Sequence, residues 1–319
     1  MAAPDFDILV NPKDPKYYEK FYTRAYYEMH GFRSTNDYSV WTTSFGNDYF
    51  YLAAIDKETG EHLGNVAGVF YRNNEGKRVL FAIGSFFLFS EFRGKGQGKQ
   101  LFETLLEIGK KEGVNMYLNC GPHISDKYIS IGFDKVREDR IICYRPLYSL
   151  FNFDNAVINE EINLIDIKDF TDWEKLKEYD QKIIGDIDRL SYFKTRFLEP
   201  QSHGLIAFDT ATNKIIGLAN AYEIFGDNLV FGPFYADDDS IAEQLLISIF
   251  KKCADSKIKI NQIQFATFES NKGILNLLKK YTDGKVEQYF YRTSHFTKFD
   301  IGVKNEFIYS VFEISISFA

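Results

Sequence analysis

The sequence predicts an α/β (α+β) fold made of two successive units of one kind, each a largely antiparallel sheet flanked by helices. Three observations predict it. The chain has 319 residues, about twice a typical domain length. Strand and helix signals follow one another in the same order twice. Within each unit the strands are separated by tight-turn residues, which join antiparallel neighbours.

Tyr17, Phe21, Tyr22, Ala25 and Tyr26 recur at helical spacing, which predicts a helix from Pro15 to about His30. Three strands follow, Tyr49–Ile55, Leu63–Tyr71 and Val79–Phe89, parted by the turns Asp56–Gly60 and Asn73–Gly76. A glycine-rich loop, Arg93–Gly98, opens a helix whose Leu101, Leu105 and Ile108 share one face and which stops at Gly113. A strand at Met116–Asn119, a short helix at Ser125–Ile131 and a strand at Ile141–Tyr144 complete the first unit. The second repeats the order. Helical sequence from Asp172 to Phe197, broken near Gly185, precedes strands Leu205–Phe208, Ile215–Tyr222 and Leu229–Tyr235. Helix Ile241–Cys253, strand Gln262–Phe268, helix Gly273–Tyr281 and strand Val286–Tyr291 finish it. The division falls near residues 148–162, giving domains 1–150 and 151–319.

Composition narrows the function. Hydrophobic content of 45% and charged content of 26% describe a chain able to build a core. The first half holds 19 basic and 19 acidic residues; the second holds 19 and 26, so the net −7 lies wholly in the second. No clustered basic face offers itself to nucleic acid. Cys120, Cys143 and Cys253 show neither pairing nor metal-ligand spacing, as expected of buried thiols in a reducing compartment and of a protein without a metal site. The longest apolar run, Val79–Phe89, is about half a membrane span. These features lead to the expectation of a soluble cytoplasmic protein with no membrane partner.

The chemistry concentrates in Arg93-Gly-Lys-Gly-Gln-Gly98-Lys99, straight after a strand and straight before a helix. Glycines at 94, 96 and 98 let backbone amides turn toward one ligand, and the helix adds unpaired amides and the positive end of its dipole. Arg93, Lys95 and Lys99 supply charge, so the segment suits a diphosphate. A dinucleotide fingerprint would need glycine at 99, where Lys stands. An ATP-type loop would need Ser or Thr at 100 and glycine at 93, where Gln and Arg stand.

The run Arg93–Gly98 resembles the acetyl-CoA pyrophosphate loop of the GNAT N-acetyltransferase superfamily, Arg/Gln-x-x-Gly-x-Gly/Ala. Downstream, Tyr128-Ile-Ser-Ile-Gly132-Phe133 resembles that family's Tyr-x-x-x-Gly-Phe segment. The resemblance covers about residues 45–147 and implies two tandem GNAT-like domains, each a mixed, largely antiparallel sheet flanked by helices. It implies acetyl-CoA as co-substrate, with the pantetheine arm on the backbone of Phe86, Phe87 and Leu88. Arg93, Gly94, Lys95, Gly96, Gln97, Gly98 and Lys99 would hold the pyrophosphate. An amine acceptor would attack the thioester directly, and Tyr128 would protonate the leaving thiolate.

The chain departs from the family in two places. Where some relatives carry a glutamate base on the strand, Gly84 stands; where an asparagine is common, Gly121 stands. Glu91 and His123 are the nearby groups able to take a proton, Glu91 being expected to face solvent. The resulting expectation is an acetyl-CoA-dependent N-acyltransferase acting on a small molecule or peptide amine; the alternative is a non-catalytic acyl-CoA-binding module. In the second half, Gly232-Pro-Phe-Tyr-Ala-Asp237, with Asp188-Arg189 upstream, resembles the C-terminal domain of tandem GNAT-like proteins. Its Asp237, Asp238 and Asp239 replace the glycines and cations of the first half. They would cap a helix and repel a pyrophosphate, so this half is expected not to bind CoA.

Overall fold

The computed structural model describes residues 5–154, 156, 159, 161–314, 316 and 318. In the first half the elements are β1 (Phe6–Val10), α1 (Lys16–Met29), α2 (Asp37–Phe45), β2 (Tyr49–Asp56), β3 (His62–Arg72) and β4 (Arg78–Leu88). Next come α3 (Gln97–Glu112), β5 (Asn115–Cys120), α4 (Ser125–Ile129), β6 (Lys135–Val136) and β7 (Ile141–Tyr144). The second half holds β8 (Ile162–Asp166), α5 (Trp173–Ile184), α6 (Leu190–Phe197), β9 (Ser202–Asp209), β10 (Ile215–Ile224) and β11 (Asn228–Ala236). It continues with α7 (Asp239–Asp255), β12 (Ile263–Phe268), α8 (Gly273–Tyr281), β13 (Gln288–Phe296) and β14 (Ile308–Ser310).

The expected antiparallel meander is present, with Ala53 opposite Asn65 and Phe70 opposite Phe81. Two strand pairs are parallel, β4 with β5 and β11 with β12, one in each half. The fold is thus mixed and largely antiparallel, with the same arrangement in both halves. Helix termini follow local chemistry: Gly113 closes α3 in the left-handed conformation at φ 64°, and Asp238 caps α7 by accepting from the Ile241 amide at 2.9 Å.

The halves exchange their last strands. In the sheet order, β13 lies between β5 and β7, and β7 lies between β13 and β12. Thr293 of β13 faces Cys120 of β5, while Ala266 of β12 faces Cys143 of β7. One continuous sheet therefore runs through the expected division at residue 150. The expected strand Val286–Tyr291 shifts to Gln288–Phe296. Its C-terminal end is polar in sequence, but Ser294 and His295 are fully buried and bonded to Asn119 Oδ1 at 2.8 Å and the Phe133 carbonyl at 3.0 Å.

Five elements escaped the sequence reading: β1, α2, β6, β8 and β14. Helix α2, Asp-Tyr-Ser-Val-Trp-Thr-Thr-Ser-Phe, is poor in strong helix formers. Packing holds it instead: the Trp41 ring lies 4.3 Å from Tyr192 on α6, and Asp37 pairs with Arg196 in the interior. One core gathers α1, α2, α5 and α6 against one face of the sheet. On the other face, α3 covers the first half and α7 and α8 cover the second. Among the described residues no helix is long and apolar enough to cross a membrane.

Candidate functional site

The site is built where β4 and β5 part. Their parallel pairing runs from Leu80–Asn115 to Ile83–Leu118 and stops, while β4 continues to Leu88. Beyond Ile83, no strand among the described residues pairs that edge of β4. On its other edge a bulge separates the pairs Ala67–Gly84 and Asn65–Phe87, with Ser85 at φ 50°. The buried Asn65 side chain pins the bulge by donating to the Ser85 carbonyl at 2.7 Å. Residues 84–88 thus offer backbone donors and acceptors to an extended ligand arm.

Phe86 and Phe87 point to opposite faces. The Phe86 ring lies 5.2 Å from Phe102 on α3, and the Phe87 ring lies 6.0 Å from Phe21 on α1. Leu88 fills the space beside Gly98, where a Cβ would stand 2.6 Å from Leu88 Cδ1. Gly98 lets α3 meet β4 this closely without displacing the Leu88 and Phe86 side chains. Gly94 and Gly96 answer a different demand: each has positive φ, 79° and 92°, and nothing lies within 4 Å of a Cβ there.

The amides of residues 94–98 make no backbone hydrogen bond, and α3 begins without a side-chain cap or an acid in its first turn. Unpaired amides and the dipole leave a positive pole at the loop. Lys95 and Lys99 are exposed beside it. Gln97 is 3% exposed, and both polar atoms of its amide lack a partner. Arg93 is already engaged: it donates to the Leu88 carbonyl at 2.8 Å, pairs with Glu28 at 2.8 Å and lies over Phe87. The loop's glycine amides and lysines are the groups left open to a diphosphate.

Tyr128 stands on α4 across the gap. Its ring packs between Phe102 at 5.6 Å and Phe133 at 6.3 Å, and its hydroxyl has no hydrogen-bond partner among the described residues. Burial pushes its pKa up to about 12, with the nearby Cys120 adding to the rise. The Tyr-x-x-x-Gly-Phe spacing has a physical basis: Gly132, at φ 102°, turns the chain so that the Phe133 amide bonds the Tyr128 carbonyl at 3.1 Å. Phe133 is then fully buried and anchors the turn.

The candidate bases fare differently. Glu91 is exposed as expected, but Arg24 grips its carboxylate at 2.7 Å and holds its pKa down to about 2. His123 lies against Gly121, where a Cβ would meet the imidazole at 2.9 Å and Arg292 Nη1 at 3.0 Å. Gly121 therefore makes room for two cationic or titratable side chains. The three cysteines are buried free thiols, and burial lifts Cys120 to about 11. Among the described residues no group of three His, Cys, Asp or Glu is placed to hold a metal ion.

Sequence reasoning missed Arg292, which sits on β13 one residue past the expected strand end. The available signal was a lone cation inside the aromatic run Tyr289-Phe-Tyr-Arg292.

In the second half the corresponding gap between β11 and β12 is filled by the chain itself. Those strands pair only at Leu229–Ile263 and Val230–Gln264. Beyond that, β14 pairs with β11, the Val311 amide bonds the Ala266 carbonyl at 2.7 Å, and Thr267 Oγ1 donates to the Ile308 carbonyl at 2.6 Å. The three acids are all engaged: Asp237 with Lys182 and Tyr179, Asp238 as the cap of α7, and Asp239 with the Tyr309 hydroxyl. Arg189 links the two parts of the second-half motif by donating to the Tyr235 hydroxyl at 2.9 Å.

A parallel strand pair that splays beside a bulge and a glycine loop at an uncapped helix make up the first unit, and the strand arrangement recurs in the second half, so the fold is a tandem one. Residues 15–129 match the model of the acetyltransferase (GNAT) family. Acyl-CoA-dependent acetyl transfer is the general chemistry of that family. Solved structures agree along almost the whole chain. A candidate acetyltransferase from Pyrococcus horikoshii is 19% identical, with a TM-score of 0.70 over 97% of this chain and 96% of that one. A tandem GNAT protein from the clavulanic acid biosynthesis pathway is 11% identical, with a TM-score of 0.65 over 92% and 97%. The N-myristoyltransferase of Saccharomyces cerevisiae, solved with myristoyl-CoA, is 11% identical, with a TM-score of 0.60 over 98% and 85%. At these identities the likeness is one of fold. No curated protein sequence matches the chain significantly.

Proposed function

We propose that the protein is an acetyl-CoA-dependent N-acyltransferase that moves an acetyl group to a primary amine of a small molecule or peptide by direct attack. The observation that carries this reading is the open edge of β4 leading to five unpaired amides at residues 94–98. The backbone of Phe86, Phe87 and Leu88 would bind the pantetheine arm and polarise the thioester carbonyl. Gly94–Lys99 would hold the pyrophosphate, with Arg93 bracing the loop through Glu28.

In the step itself, the amine nitrogen bonds the acetyl carbon and the carbon–sulfur bond breaks. The thiolate leaves with a proton from Tyr128, whose unpartnered hydroxyl and high pKa suit a donor that is always loaded near neutral pH. Proton loss from the amine falls to water or to His123, since Glu28 and Glu91 are both committed to arginines. That commitment also favours the second reading, an acyl-CoA-binding module without turnover. The second half is proposed not to take CoA, because β14 fills its gap and acids begin α7.

The test is the heat of acetyl-CoA binding to the parent and to Gly96→Asp, which places a carboxylate at the loop. Binding in the parent that is lost in the variant supports the reading. A parent that takes no acetyl-CoA overturns it.

A further inference from the structure

Three arginines gather on the face of the sheet opposite α3. Arg292 on β13 faces Ile141, which belongs to the core shared with α1 and α2, whereas its neighbour Thr293 faces Cys120, which packs with α3. Its guanidinium lies at the open end of β5, with Nη1 3.0 Å from where a Gly121 side chain would begin. The Arg292 and Arg145 guanidinium groups sit over the same Phe290 ring at 4.8 and 5.2 Å. Arg145 also covers Phe32 at 3.9 Å, and Arg33 donates to the Phe32 carbonyl at 2.7 Å. Arg33 lies 5.9 Å from the Phe21 ring, which touches Phe87 on the free end of β4. The cations therefore border the gap from the side away from the pyrophosphate loop.

Their charge is poorly balanced. Arg145 bonds only neutral acceptors, Gln264 Oε1 and the His30 carbonyl. Arg33 approaches Glu313 at 4.0 Å, and its Nε is buried without a partner. Among the described residues Arg292 has no hydrogen-bond or ion-pair partner, yet it is half-buried and its nitrogens keep contact with solvent. Among the described residues, Arg33 alone of the three has a carboxylate within 4.0 Å. Burial, together with repulsion from Arg33, lowers the pKa of Arg292. Half-buried cations without acids are costly unless an anion joins them.

We propose that Arg292, backed by Arg145 and Arg33, binds a carboxylate of the acceptor, so that the acceptor is an amino acid or short peptide rather than a simple amine. This rests on the acetyl-transfer reading above. Because β13 comes from the second half of the chain, the first half's acceptor site is complete only when the second half is present.

The test uses the full-length protein with saturating CoA and two probes that share an acetamide, N-acetylglycine and N-methylacetamide. N-acetylglycine is expected to bind about tenfold or more tightly than its uncharged counterpart. Arg292→Gln is expected to remove that preference and Arg292→Lys to keep part of it, both with unchanged acetyl-CoA affinity. In turnover, glycine should outrun methylamine through a lower KM; comparing glycine with glycylglycine decides between free amino acid and peptide. Equal binding of the two probes, or a preference indifferent to Arg292→Gln, overturns the proposal while leaving acetyl transfer intact. Carboxylate binding through Arg292 in a protein that takes no acetyl-CoA upholds the arginine site and sinks the transfer reading instead.

Discussion

Leu88 and Gly98 are joined as strand to helix with no room between them: a Cβ on Gly98 would stand 2.6 Å from Leu88 Cδ1. Gly98→Ala should therefore push α3 off β4, lowering stability by about 1–3 kcal/mol and weakening acetyl-CoA binding. Gly94→Ala meets open space and only a conformational cost, about 1 kcal/mol. Urea unfolding and calorimetric titration of both variants should rank them in that order.

Tyr128→Phe should lower kcat without changing acetyl-CoA affinity, because the ring packing survives and only the hydroxyl is lost. Tyr128 titrates near 12, so its proton is in place at every pH below about 11. The ratio of parent to variant rate should accordingly stay flat from pH 6 to 10. A ratio that changes within that range would assign the proton to another group.

His62 should make the protein acid-sensitive. Burial, first, and the Lys20 charge hold its pKa down to about 4, against 6.5 when unfolded. As pH falls below 6.5 the unfolded chain takes a proton that the folded chain refuses, so stability drops until about pH 4. The loss is on the order of 3 kcal/mol. His62→Gln should flatten the fall of stability between pH 7 and 4.5, measured by urea unfolding at each pH.

Asp37 and Arg196 tie α2 to α6 in the interior, with Tyr18 Oη and the Ser34 amide also bonded to the same carboxylate. Removing one partner leaves a buried charge, so Asp37→Asn or Arg196→Met should cost about 3–5 kcal/mol. The double variant should cost less than the two singles added together, which thermal unfolding of all three will show.

Gly232 lets the C-terminal segment press onto β11, since a Cβ there would collide with the Val311 and Phe312 carbonyls. Gly232→Ala should loosen β14 from its place between β11 and β12. Hydrogen exchange should then quicken at the Val311 amide, which bonds Ala266, while the amides of β2 and β3 keep their protection.

Local physics made much of this legible. The β2–β3–β4 meander, α3 and its glycine loop, and the Tyr128–Phe133 turn each depend on residues close together in sequence, so periodicity and turn chemistry expose them. Helix α2 was hidden because its stability comes from Trp41 and Asp37 meeting α6, contacts with residues more than a hundred positions away. Strand β13 was misplaced because its buried Ser294 and His295 look like surface residues until their partners on β5 and after α4 are known. Arg93 has the residue type expected of a pyrophosphate ligand, yet Glu28, 65 positions away, claims its charge.

The sequence by itself determined two similar α/β units, a diphosphate-suited loop at the start of α3, and a tyrosine held by a glycine turn, because these are short-range consequences of side-chain size, glycine freedom and hydrophobic period. Only the tertiary structure decided that the halves trade their last strands, that β14 closes the second gap, and that Arg292 reaches the first. Those outcomes depend on pairing between distant strands, whose energy lies in backbone edges that are alike along any strand and are chosen only when the whole sheet assembles.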